Sequence, residues 1–192
     1  MQFKNLKTNF LGKTNYYYET IDSTQDEIWK LIENKSIKNG TLIIADVQTK
    51  GRGTHGRKWY TDEKNNIAFS FFIEMNCNVN QLNGLTKKIA EIIINVFENK
   101  YGVRLEIKEP NDIYFNGKKI GGILTETKIL SEKVKYLVIG IGINTNKENF
   151  PDDIKNVATS IKKEFGIIVD TEEFITEFCN KFETQIMKGR KL

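Results

Sequence analysis

The chain has 192 residues, 39% of them hydrophobic and 28% charged, with two prolines and a formal net charge of +4. That is enough for one substantial core, the wrong composition for a disordered segment, and too little net charge to mark a nucleic-acid or membrane partner. Cys77 and Cys179 have no paired spacing, which argues against a disulfide framework or a zinc knuckle and fits a reducing cytoplasm.

Tyr16 to Ile21 reads as a strand leading into DSTQDEIWKLIENK. There Thr24 followed by Glu27 forms a T-x-x-E capping box, which predicts a helix. Ile28, Leu31 and Ile32 fall on one face, with Ser23, Thr24 and Gln25 at its N-terminal mouth. TLIIADVQ and IAFSFFIEM are strand-like runs on either side of the loop KGRGTHGRKW. Its GRGTHG core has the G-x-G-x-x-G spacing of a dinucleotide fingerprint. That fingerprint has to run from a strand straight into a helix, and here a second strand follows. NQLNGLTKKIAEIIINVFENKYG predicts a long amphipathic helix ending near Gly102, with Leu82, Leu85, Ile89, Ile92, Ile93, Val96 and Phe97 on its apolar face. Within it, IAEIIINVF is the most apolar stretch of the chain, but Glu91 and Asn95 interrupt it, and the N-terminal stretch has no signal-like apolar run. VRLEIKEPND, IYFNGKKIGGILTETKIL and KYLVIGIGINTN read as strands, with a hairpin turn at Asn116 and Gly117. VATSIKKEFG is a short helical piece before a last helix, capped by Asp170 with Glu173, whose Phe174, Phe178 and Phe182 make a core stripe. With no repeat, low-complexity tract or linker, the reading is one α+β domain over residues 1–192.

In the loop, Gly51, Gly53 and Gly56 free the backbone for close approach, Lys50, Arg52, Arg57 and Lys58 supply cations, and Trp59 offers a flat apolar face. That set suits an anion joined to an aromatic group, with a solvated basic hairpin as the plain alternative. No G-x-x-x-x-G-K-[ST] or V-A-I-K is present, which removes the P-loop and kinase readings. His55 is the only histidine, so a Ser-His-Asp site would depend on it, and a histidine metal site is excluded. A carboxylate-held magnesium arriving with a nucleotide is not excluded. KEPNDIYFNGKKIGG and VIGIGINTN place polar groups at strand ends. Pro110 holds Glu109 extended, sending Lys108 and Glu109 to opposite sides, while Asn111 and Asp112 turn the chain.

The chain resembles the biotin protein ligases through IDSTQ, VQTKGRGTHGRKW, KEPNDIYFNGKKIGGILTE, VIGIGIN and the ATSI element around Thr159, in that family's order. The likeness runs from Tyr16 to about Ile161. It implies a mixed, mainly antiparallel sheet packed against helices. It also implies ATP-dependent conversion of biotin to biotinyl-AMP and transfer of biotin to a lysine of a carrier protein, such as that of acetyl-CoA carboxylase. By resemblance, Lys119 and Arg52 are the catalytic candidates. Ser23, Thr24, Gln25 and Gln48, with Arg52, Gly53, Thr54 and Lys119, would hold biotin. Arg52, Trp59, Asn111 and Asn144 would hold ATP, with Asp112 helping to hold Mg2+.

The family loop reads G-R-G-R-x-G-R-x-W, and Thr54 stands at its second arginine; the family turn reads K-W-P-N-D, and Glu109 stands at its tryptophan. No winged-helix segment precedes the catalytic region and the chain stops at MKGRKL, so a short form without DNA-binding or C-terminal barrel domains is expected. No DNA partner is expected, and a homodimer is left open. The alternatives are a lipoate or octanoate ligase of the same superfamily, a non-catalytic biotin or nucleotide binder, and a basic nucleic-acid module built on the Arg/Lys/Trp loop.

Overall fold

The computed structural model describes residues 2–61, 64 and 66–187. β1 (Asn15–Ile21) leads into α1 (Thr24–Glu33), and β2 (Leu42–Gln48) then pairs parallel to β1. A parallel pair needs a crossover, and α1 is that crossover. β3 (Ile67–Asn78) and α2 (Leu85–Tyr101) follow the glycine loop. Then come β4 (Glu106–Lys108), β5 (Asp112–Phe115), β6 (Lys118–Leu130) and β7 (Lys133–Ile143), and finally α3 (Ile161–Phe165) and α4 (Thr171–Phe182). Among the described residues the strands form one sheet in the order β1-β2-β3-β7-β6-β5-β4, antiparallel except for the first pair. No described helix is long and apolar enough to cross a membrane.

The sheet separates two apolar clusters. On one face, Ile139, Ile141 and Ile143 of β7 join a large core with Ile89, Ile93 and Phe97 of α2 and the stripe Phe174, Phe178 and Phe182 of α4. Phe178 meets Phe69 edge-on at 5.5 Å, and Phe182 meets Phe71 edge-on at 4.9 Å. On the other face, Ile28 and Ile32 of α1 cover Ile43, Phe72 and Val138. Side chains alternate along a strand, so VIGIGI is a period-2 pattern: isoleucines toward the large core, Gly140 and Gly142 toward the α1 side.

Local chemistry sets the element ends, with two departures from the sequence pattern. The α1 cap is Ser23, not Thr24: Ser23 Oγ accepts from the Asp26 N–H at 3.3 Å, because the Thr24 hydroxyl is engaged by Gln48 and Ser70. α2 begins at Leu85, since Val79–Leu82 closes a separate 3-10 turn with its own Asn78–Gln81 capping box, and left-handed Gly84 (φ 74°) separates the two. The β5–β6 turn has positive φ at both Asn116 (46°) and Gly117 (75°), the requirement of a type I′ hairpin. Asp170 caps α4 by accepting from the Glu173 N–H at 2.9 Å. A π-helical turn, Glu183–Met187, follows α4, and the buried Glu183 carboxylate accepts backbone N–H bonds from Asn9, Phe10 and Leu11.

Candidate active site

A cavity of about 310 Å3 opens on the α1 side of the sheet, and its floor is glycine. A Cβ on Gly140 would lie 2.7 Å from Gln25 Oε1, and one on Gly142 would lie 2.3 Å from Trp59 Cε2. One on Gly122 would lie 3.4 Å from Lys119 Nζ. Gln25 and Trp59 can settle so low only because Gly140 and Gly142 carry no side chain, whereas the Gly122–Lys119 approach is ordinary contact.

At one end, the parallel β1–β2 pair brings the first turn of α1 beside the end of β2. The Thr24 N–H donates to Gln48 Oε1 at 2.8 Å and the Thr24 hydroxyl to the same oxygen at 3.1 Å. That uses the one Thr24 proton, so the 2.8 Å contact with Ser70 Oγ has Ser70 as donor. Gln48 Nε2 donates to Thr61 Oγ1 at 3.1 Å. Gln25 Nε2 donates to Glu126 Oε2 at 3.0 Å and to the Val138 carbonyl at 3.4 Å, while Gln25 Oε1 is buried without a partner among the described residues. Hydroxyls and carboxamides therefore line this end, a set for a neutral polar ring rather than for a charge.

The glycine loop crosses the mouth as a tight hairpin. Trp59 N–H donates to Gly51 O at 2.9 Å and Gly53 N–H to Arg57 O at 2.7 Å. A Cβ on Gly51 would strike Trp59 O at 2.3 Å, so no larger residue closes this hairpin. Arg57 folds back onto Thr54, donating to its Oγ1 at 2.8 Å and its carbonyl at 3.2 Å. Arg52 lines the cavity, but its guanidinium is held by Asp26 at 2.9 Å and Glu126 at 2.8 Å. Lys50 pairs with Asp22 at 2.9 Å. The Trp59 indole lies over Gly142 with its Nε1 buried and without a hydrogen-bond partner among the described residues.

At the other end Lys119 Nζ stands 2.6 Å from Asp112 Oδ1, both side chains mostly buried, and 5.8 Å from the Trp59 ring. The backbone of Lys119 is fixed by the segment before α3: its N–H donates to Val157 O at 2.8 Å, and its carbonyl accepts from the Thr159 N–H at 2.9 Å. Asn144 Nδ2 ties the same segment through Thr159 O at 3.1 Å, and Asn111 Nδ2 binds Ile123 O at 3.0 Å. Glu109 points elsewhere: it pairs with Lys87 of α2 at 2.6 Å, and that lysine holds its carboxyl below the usual range. Among the described residues no three His, Cys, Asp or Glu side chains cluster as a metal site, so Asp112 would be a lone protein carboxylate for a cation. Magnesium bound through one carboxylate and substrate phosphates fits that donor set.

Ser23, Thr24, Gln25, Gln48, Arg52, Gly53, Thr54, Trp59, Asn111, Asp112, Lys119 and Asn144 all line this one cavity. Sequence reasoning missed Ser70, Lys147 and Phe150, which line it too, and Glu126, which anchors Gln25 and Arg52 from beside it. Ser70 lies inside an apolar strand run and Glu126 in a strand that alternates with solvent-facing residues, so neither signals a site by pattern. Lys147 is buried, with its Nζ 5.6 Å from the Phe150 ring.

The model for the biotin/lipoate A/B protein ligase family matches residues 17–144. The bifunctional ligase/repressor BirA of Bacillus subtilis is 36% identical over 180 residues, 93% of this chain and 55% of that protein. The biotin–[acetyl-CoA-carboxylase] ligase of Paracoccus denitrificans is 31% identical over 159 residues, 80% of this chain and 65% of that one. Among solved structures, the Aquifex aeolicus biotin protein ligase in complex with biotin and ATP aligns with a TM-score of 0.71 at 30% identity, covering 90% of this chain and 73% of that one. The chain spans about half the length of the BirA proteins that it matches.

Proposed function

Because the chain belongs to the biotin/lipoate A/B protein ligase family, we propose that it activates biotin with ATP and transfers the biotinyl group to a lysine of a biotin carrier protein. One observation carries the reading: a neutral hydrogen-bonding end and a lysine–carboxylate end share a single cavity with an indole between them. An acid with a polar neutral ring and a nucleotide phosphate need those two environments side by side.

In the first step a biotin carboxylate oxygen attacks the α-phosphorus of ATP, and the bond to pyrophosphate breaks. Two anions approach and negative charge builds on the phosphoryl oxygens, so fixed cations lower the barrier. Lys119 supplies one, set in place by its backbone bonds to Val157 and Thr159. Arg52 supplies the second after leaving Asp26 and Glu126, pairs exposed enough to exchange for a phosphate at little cost. In the second step the carrier lysine nitrogen attacks the acyl carbon, AMP departs, and the nitrogen loses a proton. Ser23, Thr24, Gln25 and Gln48 would hold the ureido ring and the loop at Gly53 and Thr54 would close over biotin toward the phosphate, while Asn111, Asn144 and Trp59 flank the nucleotide. Asp112 would meet the magnesium that accompanies ATP and neutralises its phosphates.

A lipoate dithiolane brings no N–H to Gln25 Oε1, which has no donor among the described residues, and such sites reject ligands lacking the partner group. Pyrophosphate exchange measured with biotin, lipoate and octanoate, followed by mass spectrometry of a carrier domain, tests the proposal. Biotin-dependent exchange and a biotin-sized mass gain on one lysine are expected. Exchange with lipoate or octanoate alone would overturn it.

A further inference from the structure

Gln25 and Trp29 lie one turn apart on α1, so both project from the same face of the helix toward β6. Both donate to one oxygen there: Gln25 Nε2 reaches Glu126 Oε2 at 3.0 Å, and Trp29 Nε1 reaches it at 2.7 Å. The carboxamide of Gln25 has two possible orientations, differing by exchange of its oxygen and nitrogen. The groups behind it, the Glu126 carboxylate and the Val138 carbonyl, are both acceptors. Only the nitrogen can face them. Reversed, the amide oxygen would stand against a carboxylate and a carbonyl, with no donor between them.

The consequence lies on the cavity side. Gln25 is 3% exposed, and its oxygen sits over Gly140 beside Ser70 with no donor of its own among the described residues. Ser70 adds no donor, because its proton goes to Thr24, whose own proton goes to Gln48. A buried acceptor without a donor destabilises the free protein and rewards any ligand that brings an N–H.

We propose that Glu126 is a positioning residue that locks the Gln25 carboxamide with its oxygen toward the cavity, so that the site selects a ring bearing an N–H donor. The inference rests on the biotin reading, in which that donor is a ureido N–H. Glu126 need not touch the ligand. In Glu126→Gln, the new carboxamide offers an N–H to Gln25, whose amide is then free to reverse and to turn a donor toward the ligand's own donor.

Equilibrium binding of biotin, measured by calorimetry without ATP, tests this on wild type, Glu126→Gln, Gln25→Met and the double variant. Nucleotide binding to the same proteins reads the other end of the cavity, and melting temperatures confirm that each is folded. Loss of the N–H contact should weaken biotin binding by about ten- to a hundredfold in either single variant. ATP affinity should stay within about twofold in Gln25→Met and should not fall in Glu126→Gln, where Arg52 keeps Asp26 but loses one carboxylate partner. The double variant should bind no more weakly than Gln25→Met, because a residue acting only through Gln25 has nothing left to position. Glu126→Gln binding biotin like wild type would overturn the inference alone, as would a double variant showing the product of the two losses. Wild-type protein that binds no biotin would overturn the ligase reading and this inference with it.

Discussion

Lys119 Nζ lies 2.6 Å from Asp112 Oδ1, across a turn that the β5–β6 hairpin draws tight. The pair keeps a cation at the cavity wall before any phosphate arrives. Asp112 begins β5 and Lys119 lies just past the Asn116–Gly117 turn, so the charge is carried on backbone that the sheet makes rigid. Lys119→Ala should reduce biotin-dependent pyrophosphate exchange by more than about tenfold, the scale of a lost charge-assisted bond of roughly 1.5 to 3 kcal/mol. Exchange within a few-fold of wild type, in a protein that melts normally, would remove Lys119 from the reaction.

Thr54 carries no charge, but Arg57 rests on it through two hydrogen bonds, which brings a guanidinium to the same part of the loop. Those bonds are exposed, and they spend the Arg57 guanidinium on Thr54 rather than on a ligand phosphate. Thr54→Arg should therefore slow the escape of preformed biotinyl-AMP by about tenfold or more, since one charge-assisted bond is worth roughly 1.5 to 3 kcal/mol. It should also suppress labelling of bystander amines. Equal dissociation rates for the two proteins would show that Arg57 already does the work.

Gly142 has no room for a methyl group beneath Trp59, whose ring atoms would lie 2.3 to 2.7 Å from it. Gly142→Ala should lift the indole from the floor and weaken nucleotide binding by at least about tenfold, while the isoleucines on the opposite face keep the sheet intact. A quenched or shifted tryptophan emission relative to wild type would report the displacement. Unchanged emission and ATP affinity would mean that the ring does not depend on this glycine.

Much of the fold was legible, because hydrophobic period and capping residues are local. The VIGIGI alternation, the Asn116–Gly117 turn and the Asp170 cap each depend on a few consecutive residues. The rule that a dinucleotide loop needs a following helix removed a wrong reading on the same local ground. The strand order was not legible, since β3 and β7 pair across about seventy residues with nothing in either marking the partner. Glu126 was missed for that reason too: its partners Gln25 and Trp29 lie 101 and 97 residues away. Thr24 against Ser23 as the cap was a closer matter, settled when Gln48 and Ser70 took the threonine hydroxyl.

Glu109 faces Lys87 and not the cavity, so the acid at this position should not repel ATP. Glu109→Gln should leave the Michaelis constant for ATP within about twofold. The Lys87 ammonium holds the Glu109 carboxyl below its ordinary pKa, so the pair's contribution is full above that ordinary value and is lost as pH falls through the depressed one. Both groups are exposed, which keeps the stability effect small. Carboxyl NMR titration should show Glu109 moving up toward the ordinary range in Lys87→Ala. A Glu109 titration indifferent to Lys87 would break the assignment.

The Glu183 carboxylate gathers the backbone N–H groups of Asn9, Phe10 and Leu11 from up to 174 residues away, while Asn180 accepts from the Lys7 N–H through Oδ1 and donates through Nδ2 to the Asn5 carbonyl. On a ribosome this sets a schedule. Residues 5–11 are made before β1, yet these partners in α4 and the turn after it are made after every strand of the sheet. Until then the amides of Asn9, Phe10 and Leu11 lack these acceptors, and α4 closes over Phe69 and Phe71 in the same stretch of synthesis. Residues 5–11 are thus among the last to complete their native contacts, and a nascent chain halted ahead of Glu183 leaves them untied.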